Sequence, residues 1–150
     1  MTAAGQAPTR LQLELRDDPR DIMPRVEAIE AFLNGAGCSP VCAQQMAIVA
    51  EEILTNVVRE AWTGREPGLC RVDVEAEPRD GAIHVTLRTE DDGVAFDPTA
   101  AEAPDLDAPL EEREIGGLGI VLVKQMTDRQ TYRREDGRNI FAVMKVCAVA

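Results

Sequence analysis

The sequence predicts an α+β fold, a two-layer α/β sandwich in which a mixed, mostly antiparallel sheet carries helices on one face. Three observations lead there. Apolar residues alternate with period two in five short runs, and they recur at helical spacing in three others. The runs follow the order strand, helix, helix, hairpin, loop, helix, hairpin. Paired strands separated by helices are the pattern of a sheet covered by helices. At 150 residues the chain has the size of one ordinary domain. Hydrophobic residues make up 45%, enough for a core, while aromatics are only 3%. That core must therefore be built from Val, Ile, Leu, Ala and Met.

Taken in order, residues 1–9 read as a flexible leader, and the single domain occupies 10–150. Residues 10–16 alternate in the manner of a strand with one buried face. Ile22, Val26, Ile29 and Leu33 then recur at helical spacing, with Gly35 as a stop and Pro24 tolerable only in the first turn. Ser39-Pro40 opens a second helix, a serine cap followed by proline at the first helical position. Its apolar stripe is Met46, Val49, Ala50, Ile53 and Val57, and Thr63-Gly64 ends it after about Trp62. Residues 70–76 and 83–89 form a hairpin closed by Pro78-Arg79-Asp80-Gly81. Periodicity disappears from Asp97 to Glu114, a stretch with three prolines and seven carboxylates. A loop this long in a small domain is functional or disordered. Gly116-Gly117-Leu118-Gly119 closes it and leads into a short apolar helix over 120–126. Strands at 129–134 and 139–147, turning at Asp136-Gly137, complete the chain.

Charge and composition narrow the function. The net charge of −11 repels phosphate backbones, and few aromatics leave no base-stacking platform, so nucleic acid is not an expected partner. The acidic excess suits either solubility or a basic protein partner. Four scattered cysteines and the single His84 lack the spacing of a zinc site. The expected state of the cysteines is reduced, buried thiols in a cytoplasmic protein. No run approaches the length of a membrane span. His84 reads as a partly exposed strand residue and Trp62 as a packing residue.

Three segments carry chemistry. Glu52 and Asn56, four apart on the second helix, share one ridge about 40° wide. A carboxylate can take a proton, and an amide oxygen can ligate Mg²⁺. Asp91, at a strand end, can accept from an exocyclic amine, and Gly93 and Ala95 let backbone approach a flat ring. Gly117, Leu118 and Gly119 open a helix whose first N–H groups suit a phosphate, without the sequence of a P-loop or a Rossmann fingerprint. Separately, each has an ordinary alternative: a solvated helix face, an acidic turn, a hinge.

In this order, Glu52…Asn56, Asp91-x-Gly93 and Gly117-x-Gly119 resemble the N, G1 and G2 boxes of the GHKL ATPases. The forms DDGVAFDP, GGLGIVLVKQMTD and YRREDGRN resemble the anti-sigma serine/threonine kinase branch. The likeness covers about residues 10–147. It implies the GHKL (Bergerat) sandwich, with ATP and Mg²⁺ between a helical layer and a lid at about 98–115. It implies Asn56 as the Mg²⁺ ligand, Glu52 as the general base and Asp91 with Gly93 reading adenine. Ala95 belongs to the same box, and Gly117, Leu118 and Gly119 would frame the triphosphate. The implied phosphate acceptor is a Ser or Thr of a small anti-anti-sigma (STAS-type) partner. A sigma factor is a second implied partner, and homodimers occur among members. Two positions depart from the pattern: Ala95 replaces a glycine, and Glu60 a histidine. The acidic lid contains one cation, Arg113, read as a phosphate or partner contact. Two further readings are a nucleotide-gated module that sequesters its partner without phosphotransfer, and, more weakly, a histidine-kinase catalytic domain, for which no preceding phosphoacceptor helix is seen.

Overall fold

The computed structural model describes residues 7–100 and 117–150. Strand β1 (Thr9–Arg16) lies at one edge of the sheet. Its register with β2 (Leu69–Arg79) sets Leu11, Leu13 and Leu15 opposite Val74, Val72 and Cys70. On the other face the same register pairs Arg10 with Glu75 and Glu14 with Arg71. Slipping by one residue would exchange these faces, so the leucines lock the pairing.

A short 3₁₀ turn at Pro19–Asp21, capped by Asp18, leads into α1 (Ile22–Gly35). Pro24 is its third residue, inside the first turn as expected. The stripe Ile22, Val26, Ile29 and Leu33 is buried. Helix α2 (Pro40–Glu60) starts on Ser39, whose Oγ accepts the Cys42 N–H at 3.3 Å. Gly64, at φ +73°, follows its end in a left-handed conformation suited to glycine.

Strand β2 turns into β3 (Ala82–Asp91) through Asp80-Gly81, both at positive φ. The second hairpin, β4 (Arg129–Glu135) to β5 (Arg138–Cys147), turns through Asp136-Gly137 in the same way. Two-residue loops with both residues left-handed match the right-handed twist of their strands. The sheet order is β1-β2-β3-β5-β4, and every pairing is antiparallel. After β3 the chain crosses to the far edge through α3 (Gly117–Met126) and β4, and β5 then fills the gap beside β3. Helices and the alternate residues Val72, Val74, Val85, Leu87, Phe141 and Val143 form one core on one face of the sheet. Its other face is charged, and there His84 Nδ1 contacts Arg79 Nη2 at 2.9 Å. Trp62 packs in the core at 5% exposure, as a packing residue should.

Of the earlier boundaries, 101–115 of the lid, Arg113 with it, and Gly116 lie outside the described residues. Residues 98–100 form a 3₁₀ turn. One expectation is corrected. Cys42 and Cys147, 105 residues apart, are joined by a disulfide with Cα atoms 5.8 Å apart, rather than standing as reduced thiols. The link arises because the start of α2 lies over the end of β5, where the C-terminus also folds back: Ser39 N–H donates to Ala148 O at 2.9 Å and Ala150 N–H to Gly37 O at 2.8 Å. No spacing rule in the sequence marks that pair. Cys38 and Cys70 are free and buried. Burial pushes both thiols up, and for Cys70 the nearby Asp91 carboxylate adds to it.

The arrangement predicts that native protein prepared without reductant resists thiol reagents at neutral pH and shows two thiols once unfolded. Four would remove the disulfide. Cys42→Ser should lower the unfolding free energy by about 2–4 kcal/mol in urea titrations.

Candidate functional site

Inward-facing positions on β3 run Ile83, Val85, Leu87, Thr89, Asp91, and on β5 they include Asn139, Phe141, Val143 and Cys147. Most are apolar. At one end of the sheet the same phase turns polar, and Thr89, Asp91 and Asn139 are all buried there. Buried polar groups need partners, or something that arrives to supply them. A cavity opens beside these three, between the sheet, α2, the start of α3 and the segment after β3. Ile53, Val57, Ile120, Phe96 and Phe141 form its apolar walls. Asn56 and Glu60 line its α2 side, with Asn56 7% exposed.

The Asp91 carboxylate is held at the end of this slot. Its Oδ1 accepts from Gly93 N–H at 2.9 Å and from Asn139 Nδ2 at 3.0 Å. Among the described residues no hydrogen bond reaches Oδ2. A ring carrying an exocyclic amine, inserted between the apolar walls, would meet that oxygen. Gly93 is obligatory for packing: a Cβ there would collide with the main chain of Ala61, the residue whose carbonyl accepts Val94 N–H at 2.7 Å. The loop is therefore pressed onto the end of α2. Ala95, assigned to the same box, is exposed and does not line the cavity.

Glu52 and Asn56 lie one turn apart on α2, as the spacing requires. Glu52 is half-buried and abuts Gly119, where any Cβ would collide with Oε2. Gly117, Leu118 and Gly119 form the first residues of α3. The Asn56 amide oxygen accepts from Arg59 Nη2, and Arg59 Nε donates to Glu60 Oε1 at 3.2 Å. Glu60 is thus partnered by a cation instead of facing the cavity bare. Arg59 escaped the sequence reading, where it was one more charge on a helix. A basic residue three beyond Asn56 on the same face is the signal that marks it.

The lining fits a base and a cation in kind: an apolar slot, a carboxylate for an amine and an amide oxygen for a divalent cation, with the glycine-bearing start of α3 next to the lining residue Ile120. The enclosed space is about 30 Å³. That holds a water or two and no purine.

The histidine kinase-like ATPase domain family matches residues 15–145. Serine/threonine-protein kinase BtrW of Bordetella bronchiseptica is 31% identical over 94 residues, 63% of this chain and 63% of that protein's length. Serine-protein kinase RsbW of Listeria monocytogenes is 24% identical over 135 residues, 87% of this chain and 83% of that one. Among solved structures, the SiaB–SiaC complex from Pseudomonas aeruginosa contains a chain that superposes with a TM-score of 0.54 at 18% identity, covering 91% of this chain and 89% of its own. That likeness establishes the fold.

The two glycine contacts predict opposite outcomes. Gly93→Ala meets rigid backbone and should lower the unfolding free energy by about 1–3 kcal/mol. Gly119→Ala meets only the end of a flexible side chain and gains helix propensity, so its stability should stay within about 1 kcal/mol of the parent. Equal losses in urea titrations would show that the Gly93 contact is unimportant.

Proposed function

The chain belongs to the histidine kinase-like ATPase domain family, and we propose that it binds ATP with Mg²⁺ and phosphorylates a serine or threonine of a small protein partner. The observation that carries this reading is the Asp91 carboxylate, held at the end of an apolar slot with Oδ2 directed to no protein donor among the described residues. The names of the curated relatives, both protein kinases acting on serine or threonine, support the transfer step.

In this reading each residue of the chain has one task. Asp91 accepts the amine of the base, and Gly93 gives the loop its close approach to α2. The Asn56 oxygen is the cation ligand, once Arg59 gives it up. Backbone N–H groups of Gly117, Leu118 and Gly119 receive phosphate oxygens at the start of α3. Glu52, one turn before Asn56 and beside Gly119, takes the proton of the acceptor hydroxyl. Bound ATP supplies the γ-phosphoryl group and Mg²⁺ neutralises its oxygens. The partner is a protein of the anti-anti-sigma (STAS) type, with a sigma factor as the second binding protein, and the setting is the cytoplasm. No helix among the described residues is long and apolar enough to cross a membrane.

A second reading, a nucleotide-gated binding module without transfer, is favoured by one observation. Arg59 already occupies the Asn56 oxygen and is itself tied to Glu60. Cation binding must displace this pair.

Calorimetric titration distinguishes the readings. Wild type should bind ATP more tightly with Mg²⁺, and Asn56→Ala should lose that increment, on the order of 10-fold or more. Asp91→Asn should weaken binding with and without the cation. Glu52→Ala should retain ATP affinity while phosphotransfer to a partner falls by about 10²–10⁴. Undiminished transfer in that variant would remove Glu52 as the base. Nucleotide-dependent partner affinity with no transfer in wild type would establish the binding module instead.

A further inference from the structure

Five hydrogen bonds converge on the side chain of Asn139, a residue that none of the three motifs contains. Its Oδ1 accepts from Tyr132 Oη at 2.6 Å, from Arg134 Nη1 at 3.0 Å and from Phe96 N–H at 3.3 Å. Its Nδ2 donates to Asp91 Oδ1 at 3.0 Å and to the Val94 carbonyl at 2.7 Å. The amide has one possible orientation. Reversed, it would face three donors with an NH₂ group and a carboxylate with a carbonyl oxygen. The side chain is 5% exposed, so each mismatch would be a buried one.

We propose that Asn139 is the positioning residue that sets base selectivity: it fixes the orientation of the Asp91 carboxylate, with Oδ2 as the reading oxygen. The inference rests on the nucleotide-site reading above. Asn139 and Asp91 are register partners on β5 and β3, and both lie on the cavity. With Gly93 N–H and Asn139 Nδ2 both on Oδ1, the carboxylate cannot turn about its terminal torsion without breaking two hydrogen bonds. Oδ2, which no hydrogen bond among the described residues reaches, is thereby the oxygen left for a ligand. A 6-amino base donates to it, and a 6-oxo base in the same pose sets oxygen against oxygen. Arg134 Nη1 also donates to the Gly93 carbonyl at 2.8 Å, tying β4 to the loop that the base must contact.

Without Asn139 the carboxylate gains freedom to rotate or to admit water. Asn139→Asp keeps the size of the side chain and sets two carboxylates face to face. It also removes the amide donor that orients Asp91 and sets like charges side by side, so Asp91 loses its fixed orientation. A residue needed only for packing would weaken all nucleotides alike. One that positions Asp91 changes the preference between them.

The test is calorimetric titration of ADP and GDP into wild type, Asn139→Asp, Asn139→Ala and Tyr132→Phe, with folding checked by thermal unfolding. Wild type should prefer ADP. In the two Asn139 variants the ADP-to-GDP preference should fall on the order of 10-fold. Tyr132→Phe removes one donor from Oδ1 and should produce a smaller fall in the same direction, a readout that survives if the Asn139 variants do not fold. An unchanged preference in every folded variant, with wild type still selecting ADP, overturns the role of Asn139 alone. Wild type that binds neither nucleotide overturns the site reading and this inference together.

Discussion

Helix α2 buries Met46, Val49, Ala50 and Leu54 completely in the core between the helices and the sheet, and the same rod carries Glu52 and Asn56. Each large apolar side chain in that set contributes about 1.5–3 kcal/mol by leaving water. The site therefore inherits its geometry from the core. A small rotation of α2 would move Asn56 away from the cavity and expose Met46 or Leu54 in the same movement. Both ends of the helix are also fastened, by the Cys42–Cys147 disulfide near its start and by the Ala61 carbonyl, on Val94 N–H, at its finish. Through Val94 the loop that follows Asp91 is registered against the helix that carries Asn56. That bond couples the start of the loop to the end of the helix.

The polar end of the sheet is the second consequence of that packing. Thr89, Asp91 and Asn139 occupy inward positions where the strand pattern elsewhere demands apolar residues. Burying them without partners would be costly. Asn139 resolves most of that cost by using every donor and acceptor it has, and it does so with groups from β3, β4 and the loop between them. Asp91, which lines the cavity, receives hydrogen bonds on Oδ1 and none on Oδ2 from the described residues.

Most of the architecture was legible in the chain. The leucine alternation of β1, the Ser39-Pro40 helix start, the Asp-Gly turns and the placement of Pro24 each act within a few residues, and each was found where local chemistry demands. The site was legible in part. Asn56 and Asp91 line one cavity, Gly93 packs on Ala61 beside it and Gly119 abuts Glu52, while Ala95 is exposed and does not line it. Arg59 drew no notice and Asn139 entered only as the last residue of YRREDGRN, without a role, because a charge on a helix and an asparagine near a turn are ordinary until their neighbours are known. In hindsight the inward phase of β5 marks Asn139: it shares a face with Phe141 and Val143.

The sequence by itself determined the elements, their order, the buried face of each and the three motifs, since periodicity, capping and turn formation depend on neighbours a few residues away. Tertiary structure decided the rest. It inserted β5 between β3 and β4, and with that it brought Asn139 to Asp91 across 48 residues and Arg134 to Gly93 across 41. It also closed the disulfide across 105 residues, against the expectation of reduced thiols. Alternation states which face of a strand is buried and is silent about which strand lies beside it. Contacts between distant residues follow from strand order, and strand order is settled only when the whole core is packed.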